Sequence, residues 1–96
     1  MADTVGADDE LAVRRRKVKF RSWHRGMREM DLIMGRFADA YVDAMGPAEL
    51  DDYERLMEVP DPDLFGCILA EDSPPADLDS PMLRRLREFH RAPRGS

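Results

Sequence analysis

The run from Met27 to Met45 constrains this chain more than any other stretch, because its apolar residues recur at helical spacing. At about 100° per residue, Met27, Met30, Ile33, Met34, Phe37, Ala38, Tyr41, Ala44 and Met45 share one face of a helix. Arg28, Leu32, Arg36, Asp39 and Asp43 fall on the other. Glu29 also lies on the polar side, so a core built on the apolar stripe makes no demand on it. Asp31 stands at the edge of the apolar arc, where burial is costly unless a partner meets the carboxylate. The stretch Arg25-Gly26-Met27-Arg28-Glu29-Met30-Asp31 is thus a charged corner at the start of the dominant helix.

The flanking sequence supports that helix with others. Met1 to Ala7 shows no periodicity, and Asp8 or Asp9 suits the cap of a first helix with Glu10 in its first turn. Leu11, Val18 and Ser22 follow helical spacing, with Phe20 and Trp23 adding apolar bulk near the end. Two roles fit Gly26 equally: a helix C′ position with positive φ, or a place where another backbone comes close. Gly46-Pro47 opens a third helix that runs to about Glu58 and buries Leu50, Tyr53, Leu56 and Met57. Pro60 ends it. Asp61-Pro62-Asp63 reads as N-cap, N1 and N2 of a short fourth helix with core residues Leu64, Phe65, Ile68 and Leu69. After a loop from Glu71 to Asp79, Ser80-Pro81 starts a last helix whose apolar side carries Met82 or Leu83, Leu86 and Phe89. No segment alternates with period two, and no Asn-Gly or Asp-Gly hairpin signal occurs. The expected fold is all-α: one compact bundle of about five short helices over residues 10–91, between an acidic disordered tail (1–9) and a frayed end (92–96).

A chain of 96 residues buries somewhat over ~60% of its unfolded surface, which makes one core but no deep substrate cavity. Cys67 is the sole cysteine, which excludes an internal disulfide and a cysteine-rich zinc site and fits a reducing compartment. No apolar run approaches the ~18–20 residues of a membrane span. The acidic N-terminus has neither a signal-peptide h-region nor the character of a transit peptide. These features predict a soluble protein of the bacterial cytoplasm, with the mitochondrial matrix as the alternative.

The net charge of −5 conceals an asymmetry. Residues 11–28 carry Arg14, Arg15, Arg16, Lys17, Lys19, Arg21, Arg25 and Arg28 without one acid, whereas residues 29–79 carry only Arg36 and Arg55 against many carboxylates. Such a basic segment either steers an anionic partner or neutralises the acidic body within the fold. Enzyme chemistry has little support. Cys67 sits in an apolar helical pattern and behaves as a small hydrophobe. His24 and His90 lack metal-ligand spacing, no metal site is expected, and the scattered glycines form no phosphate cradle, with Gly35 merely interrupting a helix. Two binding readings remain. In one, Arg14 to Arg28 binds nucleic acid with Phe20 and Trp23 stacking on bases, against a pI near 4.9. In the other, Arg25 to Asp31 docks a protein.

The same residues bring a family into view. Arg25-Gly26-Met27-Arg28-Glu29 with Asp31, then Glu54 and Leu56, then Asp61-Pro62-Asp63-Leu64-Phe65, resemble the SdhE family over about residues 14–91. These assembly factors promote covalent attachment of FAD to the flavoprotein subunit of succinate dehydrogenase. The resemblance implies a five-helix bundle, a chaperone-like role without catalytic residues, and a partner in that flavoprotein subunit, with the fumarate reductase subunit as a further client. It implies that the flavin is joined to a histidine in the partner's own site, and no stably bound FAD is expected here, since nothing in the chain resembles a dinucleotide fold. It places Gly26 and Glu29 at the centre of the partner contact, with Arg25, Met27, Arg28 and Asp31 in the same region and Trp23 and His24 beside it. The chain departs from the family near Cys67, where members often carry an aromatic residue.

Overall fold

The computed structural model describes residues 7–70 and 74–92. The five helices are α1 (Ala7–Trp23), α2 (Arg28–Tyr41), α3 (Pro47–Met57), α4 (Asp61–Leu69) and α5 (Pro81–Arg91), with a 3-10 turn, Val42–Ala44, after α2. No strand occurs among the described residues. The helix α2 is the central element, packed by α1 along one side and by α5 along another, while α5 also closes over α3 and α4. Its apolar stripe supplies the middle of the core: Met30, Met34, Phe37 and Ala38 are fully buried. Around them α3 contributes Leu50 and Tyr53, α4 contributes Leu64 and Ile68, and α5 contributes Leu83 and Leu86. Phe37 meets Tyr53 and Phe89 with ring centroids 5.7 Å apart in each case. Ser80 caps α5 as its sequence suggests, its hydroxyl accepting the Leu83 N–H at 3.1 Å.

The helix α1 is bound differently. Among its described side chains only Val18 and Ser22 are buried, so apolar contact alone gives it a narrow seam. Polar contacts complete the attachment. Arg14 bonds Asp51 and Glu54 of α3 at 2.8 and 2.9 Å, Lys19 meets Asp43 at 3.0 Å, and Arg21 meets Glu58 at 3.4 Å. Arg15 donates to the Met45 carbonyl at 2.6 Å. At the seam, Ser22 Oγ donates to the Val18 carbonyl (2.8 Å) and lies 2.7 Å from the Tyr53 hydroxyl. One proton per hydroxyl makes Tyr53 the donor in that pair, with its 3.3 Å contact to the Met34 carbonyl as the weaker alternative. Burial pushes the Tyr53 hydroxyl up to about 12 from its ordinary 10, against a smaller opposing effect of the Arg25 charge.

Several sequence expectations shift. Residues 7–9 belong to α1, so Asp8 and Asp9 lie within its first turn rather than capping it; the remainder of the expected tails, 1–6 and 93–96, is outside the described residues. The second helix does not continue to Met45. It ends at Tyr41, and the tighter 3-10 turn rotates Val42 into the core and leaves Ala44 exposed. Asp61 is the first residue of α4 and Pro60 precedes it as cap, so the Asp61 carboxylate is free for another use. The buried arc of α4 is centred on Leu64, Cys67 and Ile68, which leaves Leu69, about 140° around the helix from Leu64, 52% exposed. Phe20 does not turn inward: it is 64% exposed and stacks on His24 with centroids 4.1 Å apart.

Candidate functional site: the Arg25–Asp31 corner and its flanks

The chain leaves α1 at Trp23 and enters α2 at Arg28, and the intervening corner is fixed from three directions. First, the Trp23 indole lies flat against Gly35 of α2, where an added Cβ would collide with ring carbons Cδ2, Cε2 and Cε3. Its Nε1–H donates to Asp39 at 3.2 Å. Gly35 therefore does more than interrupt a helical pattern: it is the seat of the tryptophan. Second, Arg25 turns inward and is only 8% exposed. Its Nε donates to Asp61 Oδ1 at 2.6 Å, Nη1 to the Met57 carbonyl at 2.8 Å and Nη2 to the Val59 carbonyl at 2.9 Å. One guanidinium thereby ties the α1–α2 corner to the α3–α4 corner, using both the charge and the fork geometry of arginine. Third, Asp31 finds the partner its position demands. Its Oδ1 accepts from the Arg25 N–H at 2.6 Å and the Gly26 N–H at 3.3 Å, satisfying two backbone donors that a tight turn would otherwise leave open.

Gly26 sits between these anchors at φ +103°. That conformation favours glycine, and nothing lies within 4 Å of the place a Cβ would occupy. Its turn role is thus explicit, and the space in front of it is open. Met27 caps α2 in extended conformation without a side-chain cap and is half-buried against the core.

The outward residues are Gly26, Arg28, Glu29 and His24. The His24 Nδ1–H donates to the Phe20 carbonyl at 2.7 Å, since a carbonyl can only accept. Among the described residues neither Arg28 nor Glu29 has an ion pair. The structure thus brings the expected residues to one corner and divides them. Arg25, Asp31 and Trp23 hold it, whereas Gly26, Arg28, Glu29 and His24 are presented by it.

Two concave surfaces flank the corner. One, of about 370 Å³, is polar and includes Arg21, His24, Glu58 and Asp61. The other, of about 280 Å³, lies beside Glu29 between α2, α4 and the end of α5, with Leu32, Phe65 and Leu69 on its walls. Sequence patterning offered no signal for this groove, since Leu32 reads as a polar-face residue and Leu69 as core. No helix among the described residues is long and apolar enough to cross a membrane. Five of the eight cations of the nucleic-acid reading, Arg14, Arg15, Lys19, Arg21 and Arg25, are engaged within the fold, which leaves Arg16, Lys17 and Arg28 exposed.

A sequence model of the family described as the flavinator of succinate dehydrogenase matches residues 16–90. The chain belongs to this family. It is 44% identical over 89 residues to the FAD assembly factor SdhE of Acetobacter pasteurianus, covering 93% of this chain and 82% of that one. The SdhE of Ralstonia nicotianae is 33% identical over 79 residues, with 82% of each chain covered. The mitochondrial succinate dehydrogenase assembly factor 2 of Dictyostelium discoideum is 35% identical over 78 residues, and there this chain spans 55% of the relative's length. No solved structure matches the chain. The matched region contains the corner, both flanking surfaces and all five helices except the start of α1 and the last residue of α5.

Proposed function

We propose that this protein is an FAD assembly factor that binds the flavoprotein subunit of succinate dehydrogenase and promotes covalent FAD attachment there. Membership of the flavinator family supports the role. The observation that carries the site is the split within the corner: Glu29 is exposed in the first turn of α2, next to a turn tied down by the Arg25–Asp61 pair, whose side chains are 8% and 17% exposed.

The mechanism is positioning. The bond between flavin and histidine forms in the partner's own site, and this chain supplies a preformed surface against which the partner's mobile parts are held. Glu29 engages a basic or hydrogen-bonding group of the partner near the flavin. Gly26, with open space before it, lets the partner's backbone approach. The clamp makes this surface available without an ordering cost at docking. The flavin stays with the partner, and no stable FAD complex of this chain alone is part of the mechanism. The bacterial cytoplasm is the compartment, because the relatives matched over most of both chains are the bacterial ones.

The test is covalent flavin fluorescence in a denaturing gel. Apo flavoprotein subunit and FAD are incubated alone, with the wild-type chain, and with Glu29→Ala. Wild type raises the covalent flavin signal and Glu29→Ala does not. A wild-type chain that neither binds the subunit nor changes the yield would falsify the proposal.

A further inference from the structure

Glu29 belongs to the corner and also to the rim of the groove between α2 and α4. Leu69, 52% exposed, Phe65 and Leu32 form the apolar part of that groove. At about 280 Å³ it is smaller than the ~300–1,000 Å³ that encloses a small-molecule ligand, and a large side chain or two would fill it. The end of α4 that presents Leu69 is pinned: the Ala70 carbonyl accepts from Arg87 at 2.5 Å and also from Arg91. A fixed, concave apolar surface differs from a single exposed leucine, which needs no explanation.

The rim carries charge of both signs. Glu29 stands at one end and Arg36 at the other, both exposed, and neither forms an ion pair among the described residues. Seven positions on one helix put them about 10.5 Å apart along its axis, too far to meet each other. An occupant that satisfies both must place a base and an acid at that separation, on one face, with apolar side chains between. A partner helix does this with residues at i and i+7 and apolar residues at i+3 and i+4. An extended segment does not, because its same-face positions repeat at about 6.6 and 13 Å.

We propose that the groove receives one amphipathic helix of the flavoprotein subunit, with its apolar face against Leu32, Phe65 and Leu69. Its basic residue lies beside Glu29 and its acidic residue beside Arg36. The identity of the partner rests on the function proposed above; the shape and charge order of the occupant rest on the groove.

The experiment measures binding of the purified subunit to the wild-type chain, Leu69→Asp, Arg36→Glu and Glu29→Ala, with circular dichroism of each. Leu69→Asp and Arg36→Glu each weaken binding by about tenfold or more while helix content is unchanged. A photo-crosslinking residue at position 69 captures a helical segment with a base and an acid seven residues apart. Wild-type affinity in both groove variants, together with loss in Glu29→Ala, overturns the groove and leaves the assembly-factor reading intact. Capture of an extended segment, or one without that charge order, also overturns it. Absence of binding by the wild type removes both.

Discussion

Arg25 and Glu29 stand four positions apart in one charged corner and have opposite surroundings. Arg25 is buried among Asp61 and two backbone carbonyls, and the corner behind it is a closed hydrogen-bonding system. Glu29 faces out beside an apolar groove and has no ion pair among the described residues. The inner region joins two helix–helix turns into one rigid body. The outer region has a shape only because of that rigidity. A substitution that abolishes function at this corner is therefore ambiguous by itself: loss at Arg25 reports the fold, and loss at Glu29 reports the proposed docking surface.

The sharpest way to break this division is Arg25→Met. It removes the guanidinium and leaves the Asp61 carboxylate, 17% exposed, and the Met57 and Val59 carbonyls without their donor. Removing one partner of a buried pair typically costs about 3–5 kcal/mol, a large share of the ~5–15 kcal/mol that holds a domain together. Urea denaturation of Arg25→Met should show a midpoint far below that of wild type. Unchanged stability, combined with lost docking, would move Arg25 to the outer region and remove the clamp.

The next effect separates ionic from neutral polar contacts within the inner region. Tyr53, raised to about 12 by burial, keeps its proton in the folded chain when the unfolded chain has released it. Below pH 10 both states are neutral and the contribution is complete. Between pH 10 and about 12 the unfolded state alone ionises, so stability falls by roughly 3 kcal/mol, and above that range the loss ends. Subtracting the stability profile of Tyr53→Phe from that of wild type isolates this window. At neutral pH the variant lacks one buried hydrogen bond and is weaker by about 1 kcal/mol. A difference profile flat across the window would mean that the hydroxyl ionises in the folded chain as it does in the unfolded one.

The bundle was legible in the sequence because its signals are local. Period, proline at helix starts and glycine at breaks fix elements one at a time, and the α2 stripe from Met30 to Ala38 lies in the core as its spacing implies. What escaped depends on two elements at once. Gly35 reads as a defect within α2 until the Trp23 indole is seen to occupy the missing side chain's space. Asp61 reads as a cap until Arg25, 36 residues away, takes its carboxylate. Leu69 reads as core by its apolar type, but it lies about 140° around the short helix from Leu64 and faces out. The motif residues were found together, but their division between holding and presenting is a tertiary property. Spacing puts Glu29 on the polar face and demands a partner for Asp31, but it does not say that Arg25 turns inward to Asp61, 36 residues away.

Gly26 lies on the boundary of the two regions, and its substitutions have the smallest expected effect on stability. At φ +103° any L-residue is strained, by about 1–2 kcal/mol. No atom lies within 4 Å of the added Cβ, so a larger side chain adds no clash inside the molecule. Gly26→Ala and Gly26→Arg should therefore lose nearly equal stability in urea, and both should remain helical by circular dichroism. Their effects on the partner should differ. With the variant in excess, Gly26→Ala retains most of the covalent flavin yield, whereas Gly26→Arg abolishes it by filling the space through which the partner approaches. Equal yields from the two variants would confine Gly26 to turn geometry and leave docking to Glu29 and the groove. A much greater stability loss in Gly26→Arg than in Gly26→Ala would show instead that the space before the glycine is not open, and the line between inner and outer regions would have to move outward past it.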